Sequence, residues 1–252
     1  MVSFDYRQSH LGREKAASYH RQFSKNPYRA MMWRLERREL DSILDDRLSR
    51  APRHLDFACG TGRLLSHLSQ RARECVGIDV SEGMLDIARA EMPGCQLVCG
   101  DITGSDVLAG RTFDLITAFR FFPNAQSDLR TGAIVALARH LADDGILILN
   151  NHKNRGSLIY RLARLMRPHA VRQDMSDQEV RELVDAAGLI VIDTRHIGSI
   201  PSTEKYRLLP VPLLEWMERK LSRVALVRPF ASNLIYVCVH AGKRSAQQPS
   251  PI

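Results

Sequence analysis

The chain has 252 residues, of which 44% are hydrophobic and 25% charged, and its formal net charge is +8. This composition suits one ordinary globular domain, or one such domain with an added helical piece. It argues against an integral membrane protein, because no apolar run approaches the roughly 18 residues of a membrane span and the first residues lack the apolar core of a signal peptide.

An amino-terminal segment, residues 1–50, precedes the main pattern. Within it, residues 30–49 carry apolar side chains at helical spacing, which predicts a helix that follows a turn around Pro27. Ala51-Pro52 then breaks the chain, and strand-like and helix-like patterns alternate as far as residue 150. The predicted strands are 54–58, 74–79, 95–100, 113–119 and 145–150, and the predicted helices are 62–72, 81–91 and 127–141, the last two capped by Ser81 and Ser127.

The pattern becomes helical after the fifth strand. A basic amphipathic stretch occupies residues 157–167, and a second helix is predicted at 176–188. Ser176 and Glu179 have the spacing of a capping box at the start of that second helix, and Gly188 supplies a stop signal at its end.

Two last strands are predicted at 189–197 and 232–240. Between them, residues 208–230 carry apolar side chains along one helical face. The polar tail at 243–252 is expected to be disordered. Strands that alternate with helices predict an α/β protein with a parallel sheet, whose ligands bind beyond the carboxyl ends of the strands.

A glycine turn follows the first strand directly, in the stretch HLDFACGTGRLL at residues 54–65. A turn that joins a buried strand to a helix offers free backbone N–H groups, and Gly60 and Gly62 give a ligand room to lie close to the backbone. A dinucleotide fingerprint requires a third small residue in G-x-G-x-x-G, which is missing here. Instead Asp56 lies inside the strand, where its carboxylate can reach a ligand or fix the amides of the loop.

The run Asp56-x-Ala58-x-Gly60-Thr61-Gly62 resembles the first motif of class I S-adenosylmethionine-dependent methyltransferases, with Ala58 in place of the family's first glycine. The resemblance implies a Rossmann-like, doubly wound seven-stranded sheet whose last strand is antiparallel, with helices on both faces. It also implies S-adenosylmethionine as the cofactor.

The family resemblance covers residues 54–150 well and the remainder through topology alone. It implies a methyltransferase domain at 51–242, with helical insertions at about 153–175 and 205–230 that form a lid. The first 50 residues would then cover the cofactor site.

Further matches to the family fall at strand ends. The resemblance implies that Asp79 binds both ribose hydroxyls, that Met84 packs on adenine, and that Asp101-Ile102 meets the adenine edge. Helix capping by Asp79, core packing by Met84 and a turn role for Asp101 are the alternatives. The residues implied to bind the cofactor are Asp56, Ala58, Gly60, Thr61, Gly62, Asp79, Val80, Met84, Asp101, Ile102, Phe119, Tyr19 and Arg29. Of these, Phe119 would offer a backbone carbonyl to the methionine moiety, whereas Tyr19 and Arg29 would hold its carboxylate or lie on the surface.

Candidate catalytic residues are few. His152 follows the fifth strand, at the edge where an acceptor should lie, and an imidazole suits proton removal from a hydroxyl. His20, in the covering segment, is the second candidate base. Arg120 is expected to bind an acidic group of the acceptor, or to pair with Asp56 or Asp101. An ordinary loop role for His152 stays open, and we expect no bound metal.

The remaining predictions concern partners and location. A small-molecule acceptor, such as a saccharide or a lipid-linked metabolite, is favoured; peripheral membrane contact through the basic helices is an alternative to a lid. Nucleic acid is disfavoured despite the charge, since aromatic residues make up only 6% of the chain. An RNA- or ribosome-directed enzyme and a non-catalytic cofactor-binding module stay open as other functions. Five cysteines without a C-x-x-C pair favour free thiols and a cytoplasmic location.

Overall fold

The computed structural model describes residues 5–7, 26–104, 107–170, 172–204, 209–222 and 224–243. Tyr19, His20 and the tail from residue 244 onward lie outside these ranges. Seven strands and seven α-helices occur in the described part of the chain: α1 Pro27–Arg47, β1 Arg53–Phe57, α2 Arg63–Leu68, β2 Glu74–Asp79, α3 Glu82–Glu91, β3 Gln96–Cys99, β4 Phe113–Ala118, α4 Ser127–His140, β5 Leu141–Asn151, α5 Leu158–Met166, α6 Asp177–Ala186, β6 Leu189–Ile197, α7 Val211–Leu221 and β7 Asn233–His240.

The seven strands form one sheet in the order β3-β2-β1-β4-β5-β7-β6. Strands β1 to β5 are parallel to one another, and β7 is antiparallel to both β5 and β6. The order reverses between β1 and β4, which places a crevice at their carboxyl ends. The predicted doubly wound, Rossmann-like sheet with an antiparallel last strand is confirmed.

Both faces of the sheet are covered, as the alternation of side chains along the strands requires. On β7, Leu234 and Tyr236 pack on the same side as α4 and α6, whereas Ile235 and Val237 pack on the side of α1, α2 and α7. The sheet therefore separates two apolar layers, and the helix α1 belongs to one of them.

The first helix begins earlier than predicted. Pro27 is not part of a preceding turn but the first residue of α1, a position that suits its fixed φ and missing N–H group. The Asn26 side chain caps the helix by accepting hydrogen bonds from the N–H groups of Tyr28 and Arg29. The prediction missed this start because the N-cap and the proline occur outside the apolar pattern.

Other caps were predicted with mixed success. Ser81 caps α3 by accepting a hydrogen bond from the Met84 N–H group, and Ser176 forms the predicted capping box with Glu179. The prediction for Ser127 was wrong: this serine is the first residue of α4, and Gln126 holds the cap position without a side-chain hydrogen bond. Strand β5 also begins at Leu141, four residues before the predicted start (145 minus 141).

The two predicted lid helices are shorter than expected and differ in packing. Helix α5 has no buried residue, and it exposes Leu162, Leu165 and Met166. Helix α7 is held by a buried carboxylate, because Glu218 accepts hydrogen bonds from three successive N–H groups, those of residues 198–200. Among the described residues, we find no helix with both the length and the apolar character needed to cross a membrane.

A buried carboxylate joins the amino-terminal helix to the sheet. Glu36 of α1 is 0% exposed and lies 3.2 Å from Arg63 Nη1 and 3.1 Å from Arg120 Nη2. It also accepts a hydrogen bond from Asn233 Nδ2 on β7, and Asn233 in turn accepts one from Asn150 on β5. Burial acts to raise the pKa of Glu36, but the charges of Arg120 and Arg63 outweigh it and lower this pKa below its usual value.

We expect Glu36→Ala to destabilise the protein by about 3–5 kcal/mol, because it leaves two partly buried guanidinium groups without their carboxylate. Urea denaturation near neutral pH measures the free energy of unfolding. Glu82→Ala is the control, since that exposed carboxylate pairs with Arg89 at the surface and its loss costs about 0–1 kcal/mol. Equal losses in the two variants would show that the Glu36 network does not hold α1 to the sheet.

Candidate active site

A pocket opens at the carboxyl ends of β1, β2 and β4, where the strand order reverses. Its wall combines apolar side chains with the carboxylates of two aspartates. Eight of the residues singled out from the sequence line it: Ala58, Gly60, Asp79, Val80, Met84, Asp101, Phe119 and Arg120. These side chains come from five different segments of the chain, so the fold brings together most of the predicted cofactor site.

The glycine loop and the end of β2 are joined by hydrogen bonds. Asp79 Oδ2 accepts one from the Gly60 N–H group at 2.8 Å, and Asp79 Oδ1 accepts another from the Ser81 N–H group at 2.9 Å. Gly60 has a φ of +56°, and a side chain there would point into open space, since no heavy atom lies within 4 Å of the Cβ position. Ala58 adopts a φ of +53° in the same loop. The loop therefore leaves its pocket side free for a ligand.

Gly62 has a different role from the one expected. It has a φ of +79°, and a Cβ atom at this position would lie 1.9 Å from Met92 Cε and 3.3 Å from Ala88 Cβ. It is outside the pocket wall, and its missing side chain lets α2 pack against the end of α3. Thr61 beside it is buried and likewise does not line the pocket.

Asp56 lies beneath the pocket rather than on its wall. Its Oδ1 accepts a hydrogen bond from Thr117 Oγ1 at 2.7 Å, and that hydroxyl is 2.8 Å from His54 Nε2. Burial raises the pKa of Asp56 to about 7. Ile102, also predicted to contact the ligand, packs in the apolar layer of α4 and is absent from the pocket wall.

Two residues near the amino terminus form part of the pocket and were not identified from the sequence. Arg7 Nη1 lies 2.7 Å from Asp101 Oδ2, and the Tyr6 ring packs edge-on against Phe121. The Thr103 N–H and hydroxyl groups bind the other oxygen of Asp101. Burial acts to raise the pKa of Asp101, but the hydrogen bonds from Thr103 and Arg7 outweigh it and lower this pKa.

Arg120 does line the pocket, but the predicted pairing with Asp56 or Asp101 is wrong. Its guanidinium group binds Glu36 instead, on the side of α1. Its φ is +61°, a conformation that is held by a hydrogen bond from its N–H group to Asn150 Oδ1 at 2.7 Å. Position 120 is therefore anchored at both its backbone and its side chain.

The predicted base lies beside the pocket wall rather than on it. His152 is half-buried, and its Nδ1 atom is shielded from solvent without a hydrogen-bond partner among the described residues. Burial, followed by the charge of Arg120, lowers the pKa of His152 well below its usual value. The imidazole is consequently neutral at physiological pH, which a base requires.

Arg29, a predicted ligand of the cofactor, binds Glu204 instead and lies outside the pocket wall. The neighbouring Tyr28 hydroxyl donates a hydrogen bond to the Ser202 carbonyl at 2.8 Å. The start of α1 is thus fastened to the segment that follows β6, and no described contact brings Arg29 to the pocket.

Comparison with known proteins agrees with this geometry. A family model described as "Methyltransferase domain" matches residues 55–145. A dTDP-4-amino-2,3,4,6-tetradeoxy-D-glucose N,N-dimethyltransferase of Saccharopolyspora spinosa is 32% identical over 120 residues, which are 46% of this chain and 47% of that protein. A dTDP-3-amino-3,4,6-trideoxy-alpha-D-glucopyranose N,N-dimethyltransferase of Streptomyces venezuelae is 31% identical over 116 residues, 45% of this chain and 48% of that protein. The chain thus spans about half the length of the curated relatives it matches.

The fold also resembles solved structures. Magnesium protoporphyrin IX methyltransferase from Synechocystis PCC 6803, determined with bound S-adenosylmethionine, superposes with a TM-score of 0.59 at 14% identity. The match covers 95% of this chain and 99% of that one. At this level of identity the likeness concerns the fold alone.

The two loop glycines should respond differently to alanine. We expect Gly62→Ala to cost about 2–3 kcal/mol, since the methyl group adds a steric conflict with Met92 to the strain of a left-handed conformation. Gly60→Ala carries the backbone strain alone and should cost about 1 kcal/mol. Chemical denaturation of both variants measures the difference, and a larger loss for Gly60→Ala would refute the packing role of Gly62.

Proposed function

We propose that this chain, whose residues 55–145 form a class I S-adenosylmethionine-dependent methyltransferase domain, methylates an oxygen or nitrogen atom of a small molecule. The observation that carries the proposal is the carboxylate of Asp79, fixed by the Gly60 and Ser81 N–H groups at the mouth of the glycine loop. Two carboxylate oxygens can accept more hydrogen bonds than these two, so ribose hydroxyls can bind there as well.

The pocket suits the rest of the cofactor. In the proposed arrangement the space beside Gly60 takes the methionine portion, and Met84, 3% exposed, forms an apolar surface for adenine. The adenine amino group would meet Asp101. Because Arg7 and Thr103 already occupy the two oxygens of Asp101, adenine must share that carboxylate with Arg7 or displace it.

The bound cofactor supplies an electrophilic methyl group on a sulfonium centre. The chain's own task is to align the acceptor and to exclude water from it. We propose that the acceptor lies between the end of β4, the end of β5 and the start of α1. His152 is the candidate base at this place, because its neutral imidazole can take the proton that the acceptor loses.

We further propose an amino sugar as the acceptor. The relatives from Saccharopolyspora and Streptomyces are named for dTDP-linked amino sugars that receive N-methyl groups, and their matches cover just under half of this chain. These names do not favour a nucleic-acid acceptor. Only the unprotonated form of an amine can attack the methyl group, so His152 would take the proton from an acceptor that binds as an ammonium ion.

Helix α5 is the proposed cover of the acceptor. It is the next element after β5, and Tyr160 on its first turn is half-buried and lies close enough to Tyr28 of α1 to raise the pKa of that hydroxyl. Its exposed face, which includes Leu165 at 81% and Met166 at 79%, is apolar. We propose that this face closes over a bound acceptor rather than on a membrane; co-sedimentation with anionic vesicles would favour the membrane.

We expect Asp79→Ala to weaken the binding of S-adenosylhomocysteine about 100-fold, because both ribose hydrogen bonds and the anchor of the Gly60 loop are lost. Asp79→Asn keeps one acceptor oxygen and should have a smaller effect. Isothermal titration calorimetry measures both affinities. Asp86→Ala is the control, because that exposed aspartate lies on α3 and pairs with Arg89. Unchanged affinity in Asp79→Ala would remove the ribose anchor from the proposal.

His152→Gln should lower the turnover number about 100-fold, the typical contribution of a positioned base, while the affinity for S-adenosylhomocysteine stays the same. The measurement is transfer of label from methyl-labelled cofactor to a dTDP-linked amino sugar, or to fractionated cell extract. In the unmodified protein, the lowered pKa of His152 predicts that its deprotonated form persists below pH 6.5. In a plot of the turnover number against pH, the fall caused by protonation of His152 should therefore occur below pH 6.5.

His67→Gln provides the comparison for this experiment, since His67 is a half-buried histidine of α2 that binds Asp41. Equal rates for the two variants would exclude His152 as the base. If the unmodified protein binds S-adenosylhomocysteine but transfers no label to any fraction, the chain is a binding module and the proposed function is wrong.

A further inference from the structure

Two partly buried cations lie next to the pocket without a carboxylate partner in the described part of the chain. Lys153 follows β5, and Arg130 lies in α4 one residue after Leu129, which lines the pocket. Neither side chain forms an ion pair with any described residue. The Arg130 Nε atom is shielded from solvent, and no hydrogen-bond acceptor lies within reach of it in the described part of the chain. Buried cations are normally paired, so this arrangement requires an explanation.

The nearby carboxylates are already neutralised by other arginines. Asp174 lies 2.8 Å from Arg155 Nε and 2.9 Å from Arg164 Nη2, and Glu179 lies 3.0 Å from Arg155 Nη1. Two acids and two arginines balance within this group. The positive charges of Arg130 and Lys153 therefore remain in excess by two.

Burial changes the pKa values of both cations. Loss of hydration lowers the pKa of Arg130 and of Lys153, although Asp174 acts in the opposite direction on both. The charge of Arg130 also lowers the pKa of Lys153, which places the two side chains within electrostatic reach of each other. An anion bound between them would relieve the cost of this desolvation.

A chain of hydrogen bonds connects Lys153 to the pocket wall. The Lys153 ammonium group donates to Asn124 Oδ1, and the Asn124 amide donates to the carbonyl of Arg120. The Tyr6 hydroxyl donates to that same carbonyl at 3.4 Å. Because Arg120 and Leu129 both line the pocket, Lys153 is joined to its wall by hydrogen bonds, and Arg130 lies next to a residue of that wall.

We propose that Arg130 and Lys153 form an anion-binding subsite that holds a phosphate or diphosphate group of the methyl acceptor. Arginine binds phosphate oxygens through a planar fork, and lysine adds a compact charge. The proposal rests on the proposed function of the neighbouring pocket, because it assigns the anion to the acceptor. The subsite would fix the distance of the reacting atom from the pocket without contacting that atom.

The test is calorimetric titration of the full-length protein, loaded with S-adenosylhomocysteine, with inorganic phosphate, inorganic pyrophosphate and dTDP. We expect pyrophosphate to bind the unmodified protein at millimolar concentration or below. Arg130→Gln and Lys153→Gln should each weaken that binding about tenfold, the usual effect of losing one charge-assisted hydrogen bond. Arg139→Gln, an exposed change in the last turn of the same helix, should leave it unchanged.

The three ligands distinguish the sources of the anion. Tighter binding of dTDP than of pyrophosphate supports a nucleoside diphosphate, and equal binding of all three supports a single phosphate group. Pyrophosphate that binds equally well to the unmodified protein and to both variants, or does not bind at all, overturns the subsite. The Lys153→Gln variant decides the question alone if Arg130→Gln does not fold. The anion titration can also be carried out without S-adenosylhomocysteine. If the protein fails to bind S-adenosylhomocysteine, that result refutes the proposed function, and the titration with pyrophosphate still tests the subsite.

Discussion

The architecture of the pocket depends on one buried negative charge. Glu36 belongs to a helix outside the sheet, yet its carboxylate lies between two guanidinium groups, one at the start of α2 and the other just after β4. A lone buried carboxylate would be very costly, so the charge is stable only while both arginines stay in place. The two arginines in turn need the carboxylate as their partner. These ion pairs hold α1, the start of α2 and the residues after β4 at fixed positions around the end of β1.

This constraint reaches the pocket through Arg120. Its backbone has a left-handed φ of +61°, which costs a non-glycine residue about 1–2 kcal/mol. The contacts to Glu36 and Asn150 offset that cost. On the neighbouring strand, Ala58 adopts the same type of conformation at a position where glycine would be unstrained. Two strained residues thus face each other across the crevice, a distribution typical of functional sites.

The alternation of strands and helices and the nature of the loop were predictable because both depend on local pattern, whereas the antiparallel last strand was expected only from the family resemblance. Apolar residues that alternate between strand spacing and helix spacing indicate βα units, and Asp79 is the last residue of a buried strand. Glu36 could have been noticed from its spacing, since it lies four residues from both Met32 and Leu40 on a buried helical face. Its partners could not, because Arg120 is 84 and Asn233 is 197 residues away along the chain. Tyr6 and Arg7 likewise acquire a role only through contacts with distant strands.

The same strand order separates the charges of the site. Strands β2 and β3 lie on one side of the reversal, where β2 ends in Asp79 and β3 is followed by Asp101, whereas β4 and β5 lie on the other side and lead to Arg120 and Lys153. The carboxylates that line the crevice therefore lie at one end, where Arg7 pairs with Asp101, and Lys153 lies towards the other end. A nucleoside with free hydroxyl and amino groups fits the first end, and an anionic acceptor fits the second. The sheet topology therefore sets the orientation of the two proposed ligands, because the strand order fixes the end of the crevice at which each of these residues lies.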